Sequence, residues 1–140
     1  MTKGLIQVKT ITILGKPMGK QRARMSFTTK RTYTPDETVR YENLIKMIYA
    51  EKYQNDQPYE GPIGISIFAC MPIPQSWSKK KQIEMVGYPC LTKPDTDNIL
   101  KIVMDSLNGI AYVDDKQIYK ASIFKNYATE PRLEILLTLE

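Results

Sequence analysis

The chain of 140 residues contains no histidine. That excludes Ser-His-Asp and Cys-His nucleophiles, a His-Glu-x-x-His zinc helix and any imidazole base. Acid–base or metal chemistry therefore falls to carboxylates, lysines and two cysteines. These two, Cys70 and Cys90, form no Cys-x-x-Cys pair, which leaves no support for a disulfide framework or a four-ligand zinc site. They read as reduced residues in or near the core. No apolar run approaches the about 20 residues that a membrane span needs, and no charged and then apolar leader opens the chain. The expectation is a cytoplasmic protein with no membrane partner. Repeats, low-complexity tracts and domain linkers are also missing, so one domain spanning 1–140 is expected.

Acidic residues are missing from one whole stretch. Residues 1–31 carry eight basic residues (Lys3, Lys9, Lys16, Lys20, Arg22, Arg24, Lys30, Arg31) and no acidic one. The overall balance is 20 Lys+Arg against 15 Asp+Glu, a formal charge of +5. The modest total matters less than its distribution, because Asp95, Asp97, Asp105, Asp114 and Asp115 gather in the C-terminal half.

Periodicity supplies the elements. Residues 5–14 alternate and are β-branched, as in a strand. Residues 15–33 have Gly, Pro, Ser and Thr punctuation and no helical stripe, which reads as a long basic loop or a flexible hairpin. Thr34-Pro35-Asp36-Glu37 is a helix start with Thr34 as cap and Glu37 completing a capping box. Tyr41, Leu44, Ile45, Ile48 and Tyr49 then continue that helix to about Tyr53. Residues 62–71 read as a strand ended by Pro72 and Pro74. Ser76 or Ser78 caps a short helix through residues 79–86, with Gly87 as its stop. A third helix opens at Thr96 or Asp97, ends at Asn108-Gly109 and carries a stripe of Leu100, Val103, Met104 and Leu107. Strands near 117–127 and 132–139 close the chain, expected as a hairpin. The sum is an α+β fold, a mixed sheet packed with about three helices.

The stretch richest in chemistry is Lys93-Pro94-Asp95-Thr96-Asp97-Asn98-Ile99-Leu100-Lys101. In an extended lead-in, residues two apart point the same way, and Asp97 and Lys101 share a helix face. A reversal near Gly109 would return Asp114 and Asp115 toward Asp95 and Asp97. Clustered carboxylates repel unless a cation joins them. An all-oxygen set suits Mg²⁺ or Mn²⁺, not Zn²⁺. Such ions activate water and stabilise attacking and leaving oxygens at phosphorus, while a lysine one turn away can neutralise developing charge. The same residues also fit plainer roles: Asp-x-Asp as a helix cap, Asp97–Lys101 as a surface pair, Asp114-Asp115 as a turn, and Asp105 as part of a solvated face.

Lys16, Lys20, Arg22, Arg24, Lys30 and Arg31 are candidate phosphate contacts, with Phe27 and Tyr33 as faces for stacking or wedging. A solvated loop explains them equally well. Lys79-Lys80-Lys81 reads as a solvated helix start and Trp77 as a core or staple residue.

Taken together, Asp95-Thr96-Asp97-Asn98-Ile99-Leu100-Lys101, Met104-Asp105-Ser106-Leu107-Asn108-Gly109 and Val113-Asp114-Asp115-Lys116-Gln117-Ile118 resemble the RusA family of Holliday-junction resolvases. Gly15-Lys16-Pro17 with Arg22 and Arg24, and Tyr33-Thr34-Pro35, look like the family's N-terminal half. The resemblance covers essentially the whole chain, and Ser106 departs from it where a small Ala is common. It implies a homodimeric endonuclease that makes paired nicks in four-way DNA junctions with Mg²⁺ or Mn²⁺ and leaves 5′-phosphates, in a setting that is frequently prophage-borne. It implies Asp95, Asp97 and Asp115 as metal-binding carboxylates, Asp114 as the neighbour supporting Asp115, and Lys101 as the catalytic lysine. Two other classes compatible with the residues are a non-catalytic junction-binding module and a metal-dependent enzyme acting on nucleotides.

Overall fold

A computed structural model describes residues 5–33 and 35–140. The expected cap at Thr34 lies outside the described residues. The elements follow from the pattern. Alternation over Gln7–Leu14 buries Lys9, Ile11 and Ile13 and makes β1. A small ribbon, β2 (Arg24–Met25) with β3 (Thr32–Tyr33), turns through residues 26–31, so the hairpin alternative holds for residues 24–33 and the loop alternative for the part before them. Helix α1 (Asp36–Lys52) has Pro35 at its N-cap position and Asp36 and Glu37 in its first turn, where acidic groups suit the positive end of the helix. Strand β4 (Ile63–Pro72) is followed by α2 (Lys79–Met85), which Ser78 caps by accepting from the Lys81 amide at 3.2 Å. Then come α3 (Thr96–Leu107), β5 (Ile118–Ala128) and β6 (Arg132–Leu139).

The four long strands form one mixed sheet in the order β1-β6-β4-β5. Strand β6 pairs antiparallel with both β1 and β4, while β4 and β5 are parallel. The register lines up Ile11, Ile135, Ile67 and Ile123 across all four strands. This row lies on the face covered by Tyr41, Ile45 and Tyr49 of α1 and Ile99, Ile102, Val103 and Leu107 of α3. The opposite face is more open; there Phe68 and Phe124 stack with ring centroids 5.6 Å apart. Buried Lys9 is taken up by Asp56 at 2.6 Å beneath the Tyr53 ring, so this member of the basic N-terminal set is structural.

Two expectations need correction. The last two strands are not a hairpin, because β4 lies between them. The short link between β5 and β6 passes over the end of β4, where Pro72, lacking an amide hydrogen, closes the strand. The buried stripe of α3 is also rotated from the expected one. Ile99, Ile102, Val103, Ser106 and Leu107 are buried, while Leu100 and Met104 are half-buried.

Ile67→Ala, in the middle of the isoleucine row and fully buried, is expected to cost about 2–5 kcal/mol in urea unfolding. Ser106 is fully buried, and its hydroxyl donates to the Ile102 carbonyl at 2.5 Å. Replacement by Ala removes the donor and leaves that carbonyl its place in the helix ladder, so Ser106→Ala should stay within about 1 kcal/mol of the parent.

Candidate functional site

The site is built around the first turn of α3. The chain approaches through Lys93 and Pro94, and the Lys125 ammonium of β5 donates to the carbonyls of Thr92 and Pro94, tying the approach to the sheet. Asp95 occupies the N-cap position with extended backbone, and its carbonyl accepts from the Ile99 amide at 3.1 Å. Its carboxylate makes no cap hydrogen bond, so the plain capping role does not consume it. Asp97 accepts from the Asn98 amide at 2.9 Å.

The basic segment crosses this turn as a strap. The Lys20 amide donates to the Asn98 carbonyl at 2.8 Å, and the Gln21 amide reaches Thr38 Oγ1 of α1 at 3.4 Å. Gly19 has no room for a side chain, since a Cβ there would lie 2.9 Å from both Asn98 Cβ and Pro94 Cβ. Strap, α1 and the α3 lead-in enclose a groove of about 1020 Å³. Lys16, Lys20, Arg22, Arg40 and Lys93 bring cations to it, and Glu37, Asp95 and Asp97 bring carboxylates. Tyr41 forms part of its wall; burial pushes this hydroxyl up to about 12, which keeps it protonated.

A second, smaller cleft lies along α3, bounded by Asp97, Leu100, Lys101, Met104, Asp105 and Asp115. Asp115 is presented by a 3₁₀ turn over Asp115–Gln117. Asp114 caps that turn, accepting from the Lys116 amide at 3.2 Å, and Gln117 accepts from the Asp114 amide at 2.9 Å. The Gln117 side chain also donates to the carbonyls of Tyr59 and Gly61, at 2.7 and 3.0 Å, which anchors the turn. The Lys116 amide holds the Asp114 carboxyl below its usual range. A hydrogen bond with Asp114, then burial and the charges of Asp114 and Asp105, push Asp115 above its usual range against the pull of Lys101.

Asp97 therefore belongs to both spaces, Asp95 to the groove, and Lys101 and Asp115 to the cleft. Among the described residues, no three Asp, Glu or Cys side chains form a ready metal cluster. The donors available at this point are nevertheless carboxylate oxygens, with Asp95 free of capping duty, and that hard set fits Mg²⁺ or Mn²⁺. Of the expected DNA contacts, Lys16, Lys20 and Arg22 reach the groove, whereas Arg24, Lys30 and Arg31 sit exposed on the ribbon and its turn. Phe27 there is 96% exposed. Trp77 packs edge-on against Tyr127 of β5 and against the core, in keeping with the core alternative.

The sequence pattern alone assigned no role to Arg40, Glu42 or Lys93. Glu37, Arg40, Tyr41 and Leu44 share one helix face at i, i+3, i+4 and i+7, but the apolar members drew the reading toward core. Asp105, read equally well as solvated, is half-buried and forms ion pairs with Lys20 at 3.5 Å and Lys101 at 3.8 Å. Lys20 also pairs with Glu42 at 2.5 Å. Burial lowers the Lys20 pKa, but the bond to Glu42 and the two carboxylate charges outweigh it and hold the ammonium above its usual range.

Comparison with known proteins gives the family. The family model described as Endodeoxyribonuclease RusA matches residues 15–138. An uncharacterized protein of Bacillus subtilis (strain 168), YqaN, is 30% identical over 131 residues, which cover 90% of this chain and 92% of YqaN. With a family match running from the Gly15 strap to the last strand, the chain belongs to the RusA family of endodeoxyribonucleases.

Proposed function

We propose that the protein is a structure-specific endodeoxyribonuclease that resolves four-way DNA junctions by metal-dependent phosphodiester hydrolysis. The observation that carries this reading is the position of Asp97, the shared wall between a cation-lined groove and a carboxylate-and-lysine cleft. A phosphodiester backbone laid in the groove would bring a phosphate to the side chains that can act on it.

Asp95, Asp97 and Asp115 would hold the metal. Mg²⁺, with Mn²⁺ as substitute, would supply Lewis-acid activation of water and stabilisation of the leaving oxygen. Lys101, on the helix face of Asp97, neutralises charge that builds on the phosphate. Asp114 acts by shaping the turn that presents Asp115. Lys16 and Arg22 bind phosphates in the groove, and Arg24, Lys30 and Arg31 extend the contact along the ribbon. Phe27, at the turn of that ribbon, is placed to wedge between bases at the branch point. A homodimer suits the task, because two-fold symmetry presents two equivalent sites to a near-symmetric junction. The products are paired nicks with 5′-phosphates, in DNA recombination and repair.

Asp97→Asn should keep junction binding and abolish nicking in Mg²⁺. A gel assay on a four-way junction beside a linear duplex, with Mg²⁺ and with chelator, measures both. Near-normal cleavage by this variant would refute the assignment. Binding with no cleavage by the parent would favour a binding module, and turnover of free nucleotides would favour a nucleotide enzyme. Arg22→Ala in the Asp97→Asn background should weaken junction binding and reduce the slope of log affinity against log salt by about 1, read by titration across salt concentrations.

A further inference from the structure

Lys20 differs from its basic neighbours. Its side chain is 22% exposed, and its ammonium stands between two carboxylates, Glu42 of α1 at 2.5 Å and Asp105 of α3 at 3.5 Å. The same oxygen of Asp105 lies 3.8 Å from the Lys101 ammonium, whose side chain is 63% exposed. The four groups form a continuous bridge: Glu42, Lys20, Asp105, Lys101. Their formal charges cancel. The backbone of Lys20 is fixed as well, through its amide to Asn98 and the tight seat of Gly19.

We infer that Lys20 is a positioning residue for Lys101, acting through Asp105, and that it does not bind DNA phosphates; this rests on the nuclease reading with Lys101 as the catalytic lysine. Two ammonium groups compete for one carboxylate. Asp105 is one turn from Lys101 on the same helix, so an unsatisfied Asp105 carboxylate would hold that ammonium against the helix. Lys20 supplies Asp105 with a second, less mobile cation, anchored in turn by Glu42. Lys101 is then held only loosely and stays available at the mouth of the cleft. Because Lys20 comes from the strap and Glu42 from α1, the bridge also sets α3 relative to both walls of the groove. An ammonium with two carboxylates within 3.5 Å has little left for a phosphate, in contrast to Lys16 and Arg22, which are exposed.

The test separates chemistry from binding. Lys20→Met is made alone for single-turnover cleavage at saturating protein with Mg²⁺, and in the Asp97→Asn background for junction titrations across salt. A positioning role predicts a fall of roughly ten- to a hundredfold in the single-turnover rate, with junction affinity and salt slope kept and with most of the rate restored in Lys20→Arg. Asp105→Asn removes the carboxylate that would hold Lys101, so the Lys20→Met, Asp105→Asn double variant should regain most of the rate and serves if Lys20→Met alone does not fold; a double variant as slow as Lys20→Met would overturn the inference. An unchanged rate with weaker binding and a shallower salt slope would overturn the inference while leaving the nuclease reading intact, since the parent still cleaves and Lys101→Ala does not. A parent chain that leaves junctions uncut would overturn both.

Discussion

The close seat of Gly19 against the first turn of α3 is the contact on which the site depends. A strap that passes within van der Waals distance of Asn98 and Pro94 must be bare at that point. Only then does the next amide meet the Asn98 carbonyl, and only then does Lys20 fall between α1 and α3. The groove, its ring of cations and the charge bridge are consequences of that one approach. A basic segment that would otherwise be a solvated loop becomes one wall of a binding surface.

The electrostatics follow from the same arrangement. The formal +5 is not spread evenly: cations from the strap, from α1 and from the α3 lead-in line the groove, and Glu37, Asp95 and Asp97 bring carboxylates to it. Not every cation is available to an anion. Lys9 is committed to Asp56 and Lys20 to Glu42 and Asp105. Counting charges along a sequence therefore overstates the free positive surface, because it cannot tell which ammonium groups already have partners.

Much of the fold was legible because local signals were strong. Alternation in β1 and β4, the Ser78 cap and the Gly87 stop, and the apolar spacing of α1 are all short-range features. The failures were of longer range. Sequence adjacency suggested that residues 117–127 and 132–139 pair, yet β4 inserts between them; strand order is a tertiary outcome that no window of ten residues encodes. The one-step rotation of the α3 stripe has the same origin, since Ile99 and Leu100 are equally apolar and the sheet decides which is buried. At the site, Asp95, Asp97, Lys101 and Asp115 were singled out because their residue types are chemically unusual together. Arg40 and Glu42 were missed because charges on an amphipathic helix are ordinary, and only packing shows which of them face a groove.

The parallel pairing of β4 with β5 carries a consequence for how the site comes into being. Parallel neighbours cannot be joined by a tight turn and need a long crossover. Here that crossover runs from Pro72 to Ile118 and contains α2, α3 and the turn bearing Asp115. Asp95, Asp97, Lys101, Asp105 and Asp115 thus all reside in one connection whose two ends are sheet strands. That loop closes only when β5 docks beside β4, a contact between residues far apart in the chain and correspondingly slow to form. The distance from Asp95 and Asp97 to Asp115 is thus set within a single connection that is anchored at both ends by neighbouring strands of the sheet.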